Sequence, residues 1–289
     1  MKALTSLAIL LLAFRLVGQM DTELYLFDLT RTTEGEIVIS NPLNISSNPG
    51  YDNQPYFWPD GNSLLYARNK TSQTEIARYF IGSGKTQLIS KTLQGSEYSP
   101  TVAPDGSISS IRLDTTGLQR LYTYQLDGDH SLLVENLVIG YYCWLSKNKI
   151  AAFILGDPNT LQIVDLKSSK SREVAQNPGR SLHLLPFSKE LSFVDKKGEN
   201  WTIKILNIKN GKMRDIVRAR QGSEDFCWTP TGEILMGENN ELWVWSPFRS
   251  WRMVEDLSKY GLKNVTRLAV SKNGDKLVAV VEKQDINSK

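Results

Sequence analysis

Histidine is nearly absent. His130 and His183 are the only two in 289 residues, and cysteine is as scarce, with Cys143 and Cys227 alone. A Ser-His-Asp or Cys-His catalytic set needs a histidine beside a nucleophile and an orienting acid. No G-x-S-x-G elbow occurs, and nothing in the local sequence marks such a set. Runs of like charge are also missing, and beyond residue 20 no segment is apolar enough to cross a membrane. The balance of 34 basic against 31 acidic residues, without a basic cluster, excludes the electrostatic footprint of a nucleic-acid binder.

What is present begins with MKALTSLAILLLAFRLVGQM. Lys2 precedes an apolar run from Ala3 to Phe14, followed by small residues near Val17 and Gly18. That order reads as a secretory signal peptide over residues 1–19, with the folded part at 20–283 and a tail at 284–289. An uncleaved anchor is the alternative reading of the same run. Removing the leader takes Lys2 and Arg15 with it and leaves a nearly neutral chain. Export places the protein in the periplasm or outside the cell.

The rest of the chain repeats. QPYFWPDGNSLLYAR (54–68) holds Asp60-Gly61 between two apolar runs, and SPTVAPDGSISSIRL (99–113) repeats it at Asp105-Gly106. Weaker copies centre on Asn148, Ser188, Gly232 and Gly274, at steps of 45, 42, 40, 44 and 42 residues from Gly61 onward. A period of about 40–45 residues indicates a propeller or a helical array. The residues four and six before each turn are Phe57 and Pro55, Val102 and Pro100, Trp144 and Tyr142, Leu184 and Leu182, Trp228 and Phe226, Val270 and Leu268. Bulky groups at period two are strand spacing. Pro presets φ, Asp bonds the following backbone and Gly accepts positive φ, so each turn closes a hairpin. Two further strands follow in each unit, such as LQRLYTYQLDG and SLLVEN, giving the four strands of a propeller blade.

The sixth copy supplies two strands, over 266–282, and the orphan start TELYLFDLTRTTEGEIVIS (22–40) resembles the missing third and fourth. The expected fold is therefore all-β: a six-bladed β-propeller of four-stranded blades, its last blade assembled from both ends.

Pro55 to Tyr66 and Pro100 to Ile111 resemble the PD40, or TolB-like, class of WD40-like propeller repeats, whose pattern is roughly Pro-x-Trp-Ser-Pro-Asp-Gly followed by an Ile-x-Phe strand. The other four copies lack the triplet. The resemblance covers the propeller only, without the additional N-terminal domain of TolB. It implies an envelope or secreted binding protein of a Gram-negative bacterium, a class with a few enzymatic relatives.

Other motifs dissolve into this frame. GSGKT (82–86) lacks the upstream Gly of a phosphate loop and falls, like DGDH (127–130), between third and fourth strands. His183 occupies a packing slot on a first strand. Cys143 and Cys227 share that slot in the third and fifth repeats. Alternate blades hold them beyond the ~7 Å Cα limit of a disulfide, so two free, buried thiols are expected.

A propeller binds through the loops entering its first strands, at the mouth of the axial channel. Here they carry Asp52, Asn53, Gln54, Glu97, Tyr98, Tyr141, Arg180, Glu224, Asp225 and Arg267. Two readings follow. One is a non-catalytic propeller binding a protein or peptide of the envelope, with no cofactor and no metal. The other is a propeller enzyme, a metal-dependent lactonase-like hydrolase or a carbohydrate lyase, with Glu97, Asp225 and Asn53 around a hard cation. The sequence does not encode the oligomeric state.

Overall fold

A computed structural model of the chain describes residues 21–282; the leader and tail lie outside the described residues. Its 24 strands form six antiparallel sheets of four. Blade 1 spans residues 53–88, blade 2 spans 96–134, blade 3 spans 139–176, blade 4 spans 178–218 and blade 5 spans 226–256. Blade 6 orders Ile37–Asn44, Thr22–Arg31, Lys276–Glu282 and Leu268–Val270 from rim to axis. The fold is the six-bladed propeller expected, closed by strands from both ends, with Thr22 in register opposite Glu282. Among the described residues no helix is long and apolar enough to cross a membrane.

The second and third strands of each blade read as near-continuous apolar runs because both faces of every sheet are covered. In Ser63–Lys70, Leu64 and Tyr66 pack with Leu24, Leu26 and Val278 of blade 6, while Leu65 points the other way, to Val102 and Ile108 of blade 2. In Lys149–Ile154, Ile150 and Ala152 join blade 2, and Ala151 and Phe153 join blade 4. Six buried clusters result, one at each blade interface.

The turns behave as their residues require. Gly61 and Gly106 take φ of +74° and +90°, and Asp60 and Asp105 each accept the amide two residues on, at 2.8 and 3.0 Å. GSGKT closes the hairpin between Gln73–Phe80 and Lys85–Leu88, and DGDH closes the one before His130–Val134. Both cysteines are free; Cys227 is buried and Cys143 half-buried.

Polar staples recur between blades. Trp144 donates its indole N–H to Ser109 Oγ of the preceding blade at 2.9 Å, and Trp228 donates to Ser192 Oγ at 2.8 Å. Thr22 and Thr74 each donate a hydroxyl to a carbonyl of the following blade, Asp52 O and Glu97 O, both at 2.8 Å. Ser46 and Ser90 each accept an amide of a neighbouring strand, from Leu24 and Ile76. These repeats of Thr-Glu-Leu (22–24) in Thr-Glu-Ile (74–76), and of Ile-Ser (45–46) in Ile-Ser (89–90), are visible in the sequence once the blade register is known.

Candidate functional site

The first strands of the six blades surround a cavity of about 310 Å³. Counting back from the turn residues, the position seven before each turn is Gln54, Ser99, Tyr141, Ser181, Asp225 and Arg267. All six line the cavity. Each blade thus contributes one side chain, from one sequence slot, to a ring at the mouth. Behind the ring lie Pro55, Tyr56, Pro100, Tyr142, Trp144, Leu182, Leu184 and Phe226, a largely apolar wall.

Of the residues expected at the mouth, Gln54, Tyr141, Arg180, Asp225 and Arg267 line this cavity. Glu224 faces a neighbouring depression shared with Arg180 and Asp225. Asp52, Asn53 and Glu97 are buried within the blades, at 0%, 5% and 0% exposure, and line neither. Tyr98 also lines neither; it packs against the core between blades 2 and 3, its ring 6.1 Å edge-on from that of Tyr51.

The buried carboxylates bond within the blades, with Asp52 Oδ2 left without a hydrogen-bond partner among the described residues. Asp52 Oδ1 accepts the amide of Asn69 at 2.8 Å and the side chain of Asn48 at 3.1 Å. Burial pushes its pKa up to about 6. Glu97 accepts the hydroxyls of Tyr124 at 3.0 Å and Thr92 at 3.1 Å, with Arg112 at 3.7 Å. Burial, and then the nearby Glu75, push Glu97 up to about 7 against those donors. Glu97, Asn53 and Asp225 therefore do not converge, and the described residues contain no group of three His, Cys, Asp or Glu arranged to hold a metal ion.

Charge at the mouth centres on Asp225, 5% exposed at its side chain. Arg180 grips it through Nε at 2.9 Å and Nη2 at 2.5 Å, and Arg267 stands 3.8 Å away. Burial works to raise the Asp225 pKa, but the charge of Arg267 and the bonds from Arg180 outweigh it and hold the carboxyl below its ordinary range. Glu224 accepts the backbone amide of Arg180 and the ammonium of Lys196, each at 3.1 Å. The guanidinium of Arg267 lies over the Tyr141 ring, 5.1 Å from its centroid. Tyr51 feels the charges of Arg267 and Arg180, yet burial pushes its hydroxyl up to about 12, so it stays a neutral donor.

Sequence reasoning passed over one pair. Ser181 and His183 alternate along one strand, which brings Oγ and Nε2 to 2.9 Å. The hydroxyl also faces the Phe226 carbonyl at 3.0 Å and accepts the Phe226 amide at 3.2 Å. Burial pulls His183 down to about 4, so the ring is neutral at physiological pH. Among the described residues no carboxylate hydrogen-bonds the ring, since Asp225 is held by arginine. The pair ties blade 4 to blade 5 and lacks the orienting acid of a triad. The spacing of two, Ser-x-His on a strand, was the available signal.

No protein-family profile matches the chain. Among curated proteins, Dipeptidyl-peptidase 5 of Porphyromonas gingivalis is 21% identical over 253 residues, which takes in 83% of this chain and 30% of that protein. The chain thus spans under a third of the length of the curated relative it matches. Among solved structures, a protein assigned as TolB from Agrobacterium tumefaciens superposes with a TM-score of 0.70 at 14% identity, covering 93% of this chain and 100% of that one. A gluconolactonase from Xanthomonas campestris gives 0.63 at 9% identity, over 91% and 97% of the two chains. At these identities the likeness is one of fold, and it takes in a TolB and a gluconolactonase alike.

Proposed function

We propose that this is an exported propeller that binds a polypeptide of the cell envelope at its channel mouth and performs no chemistry on it. The observation that carries the reading is the composition of the mouth. Tyr141, Arg180 and Arg267 stand over a wall of Tyr56, Tyr142, Trp144 and Phe226. Tyrosine, tryptophan and arginine are the residues that dominate binding energy at protein interfaces. The leader-like residues 1–19 supply the route to the envelope, and the TolB-like repeats supply a precedent for binding there. Of the two acids that the metal-dependent reading uses, Glu97 is spent inside its blade on Tyr124 and Thr92, and Asp225 is gripped by Arg180.

The test is capture from envelope extract with chemical crosslinking, using the protein and a Tyr141→Ala, Leu182→Arg double variant that alters the mouth and wall. A partner retained by the first and lost by the second is expected. Equal capture by both removes the mouth from the reading. Calorimetric titration of calcium, zinc and manganese into chelator-treated protein addresses the enzymatic reading, and micromolar binding lost in Asp225→Ala would favour it.

A further inference from the structure

We infer that the channel mouth receives the C-terminal carboxylate of its polypeptide, with Arg267 as the group that pairs it and the apolar wall as the seat of the last side chain. This inference rests on the polypeptide-binding reading above.

The argument begins with charge. Among the residues lining the cavity, the charged ones at neutral pH are Arg180, Arg267 and Asp225. Asp225 is consumed by the two-pronged grip of Arg180, and the nearest other acid, Glu224, is taken by Lys196 and the Arg180 amide. Arg267 is left with one guanidinium ion pair at the limit of contact, 3.8 Å, and among the described residues its side chain makes no hydrogen bond, the backbone carbonyl alone accepting the Val280 amide. Its side chain is only 14% exposed. A guanidinium carries five N–H donors in a fork that matches a carboxylate. A largely desolvated cation with idle donors is costly, and an incoming anion relieves that cost. The cavity therefore carries one unspent positive charge and suits a ligand with one negative charge.

Position and size narrow the ligand further. Arg267 belongs to the ring at the mouth, and its guanidinium is steadied over Tyr141. Deeper residues, among them Tyr142, Trp144, Leu182 and Phe226, present no further charge. Ligand cavities run from about 300 to 1,000 Å³, and at about 310 Å³ this one lies at the small end of that range, suited to a compact group such as a chain end. The backbone of an internal stretch brings no charge to Arg267, so such a stretch would have to place an Asp or Glu side chain there, and an N-terminus brings the wrong sign. A chain end bearing a carboxylate and an apolar side chain meets every requirement.

The test uses two matched peptide libraries, randomised over six positions and ending in Phe or Leu, one with a free terminal acid and one amidated. Each is captured on the immobilised protein, and N-acetylphenylalanine is titrated separately by calorimetry. A charge-assisted hydrogen-bond pair predicts a preference for acid over amide of about tenfold or more. Arg267→Gln should abolish that preference while its melting temperature stays near that of the parent. Should Arg267→Gln fail to fold, Arg267→Lys keeps the charge without the fork and should weaken the preference. Equal capture of acids and amides overturns the carboxylate assignment and leaves polypeptide binding standing. Capture of neither library overturns both. Binding of N-acetylphenylalanine with no peptide captured overturns the polypeptide and identifies a small apolar acid as the occupant.

Discussion

Replacing Glu97 with glutamine removes a buried carboxyl group while keeping its shape and its acceptor for Tyr124. The side chain has no exposure, and burial together with Glu75 raises its pKa from 4.5 to about 7. An acid whose pKa rises on folding contributes fully to stability below its unfolded value, and that contribution is lost as pH climbs through the folded value. The shift of about 2.5 units is worth about 3 kcal/mol, most of it lost between pH 5 and pH 8. In a domain of this size that is a fall in melting temperature of roughly 6–12 °C. Urea unfolding of the parent and of Glu97→Gln, near pH 5 and near pH 8, measures it. The variant should be close to the parent at the lower pH and more stable by about 2–3 kcal/mol at the higher. If the two proteins lose stability equally between those pH values, the carboxyl is not strained by burial and the reasoning fails.

Asp225→Asn should destabilise by about 3–5 kcal/mol, because the buried Arg180 loses the carboxylate it grips; urea unfolding at pH 7 reads this. Gly237→Ala should cost about 1–3 kcal/mol, since the added Cβ would lie 2.5 Å from the Val265 carbonyl oxygen, a backbone atom unable to swing aside. Gly198→Ala, with open space around it but φ of +74°, is the contrasting case and should cost less in the same melt. Thiol titration should find two groups in the denatured, unreduced protein, and slow reaction in the native one. Burial pushes Cys143 up to about 12 and Cys227 higher still, so little thiolate is available.

The ring was legible because turn chemistry and period-two packing repeat at a fixed interval, and each copy had to satisfy the same geometry. The closure was legible because an orphan pair of strands at one end matched a deficit at the other. The orientation of the entry loops was not. Ser-Glu-Tyr (96–98) and Ser-Glu-Asp (223–225) look alike, yet Glu97 sinks between blades while its loop counterpart Glu224 faces a depression beside the mouth. The reason is a bulge: the register of blade 2 shifts between Tyr98 and Thr101, and that of blade 1 between Asn53 and Tyr56. Gln54 and Ser99, each just before a proline, take φ of +60° and +51° there. One extra residue flips every side chain before it to the other face. Counting back from the turn, on the near side of the bulge, finds the lining slot; matching loops by their residues does not.

The pairing of Thr22 with Glu282 also sets an order of events. As the chain emerges, Thr22–Arg31 can fold against Ile37–Asn44 at once, but its other edge has to wait for a strand some 260 positions later. Closing a loop of that length costs about 5 kcal/mol of chain entropy, repaid only when the last strand docks. Until then the molecule is an open arc with two bare sheet edges, the state most prone to pair with a neighbour. That interval ends only when the last strand of the described residues, the seven-residue Lys276–Glu282, docks between Thr22–Arg31 and Leu268–Val270.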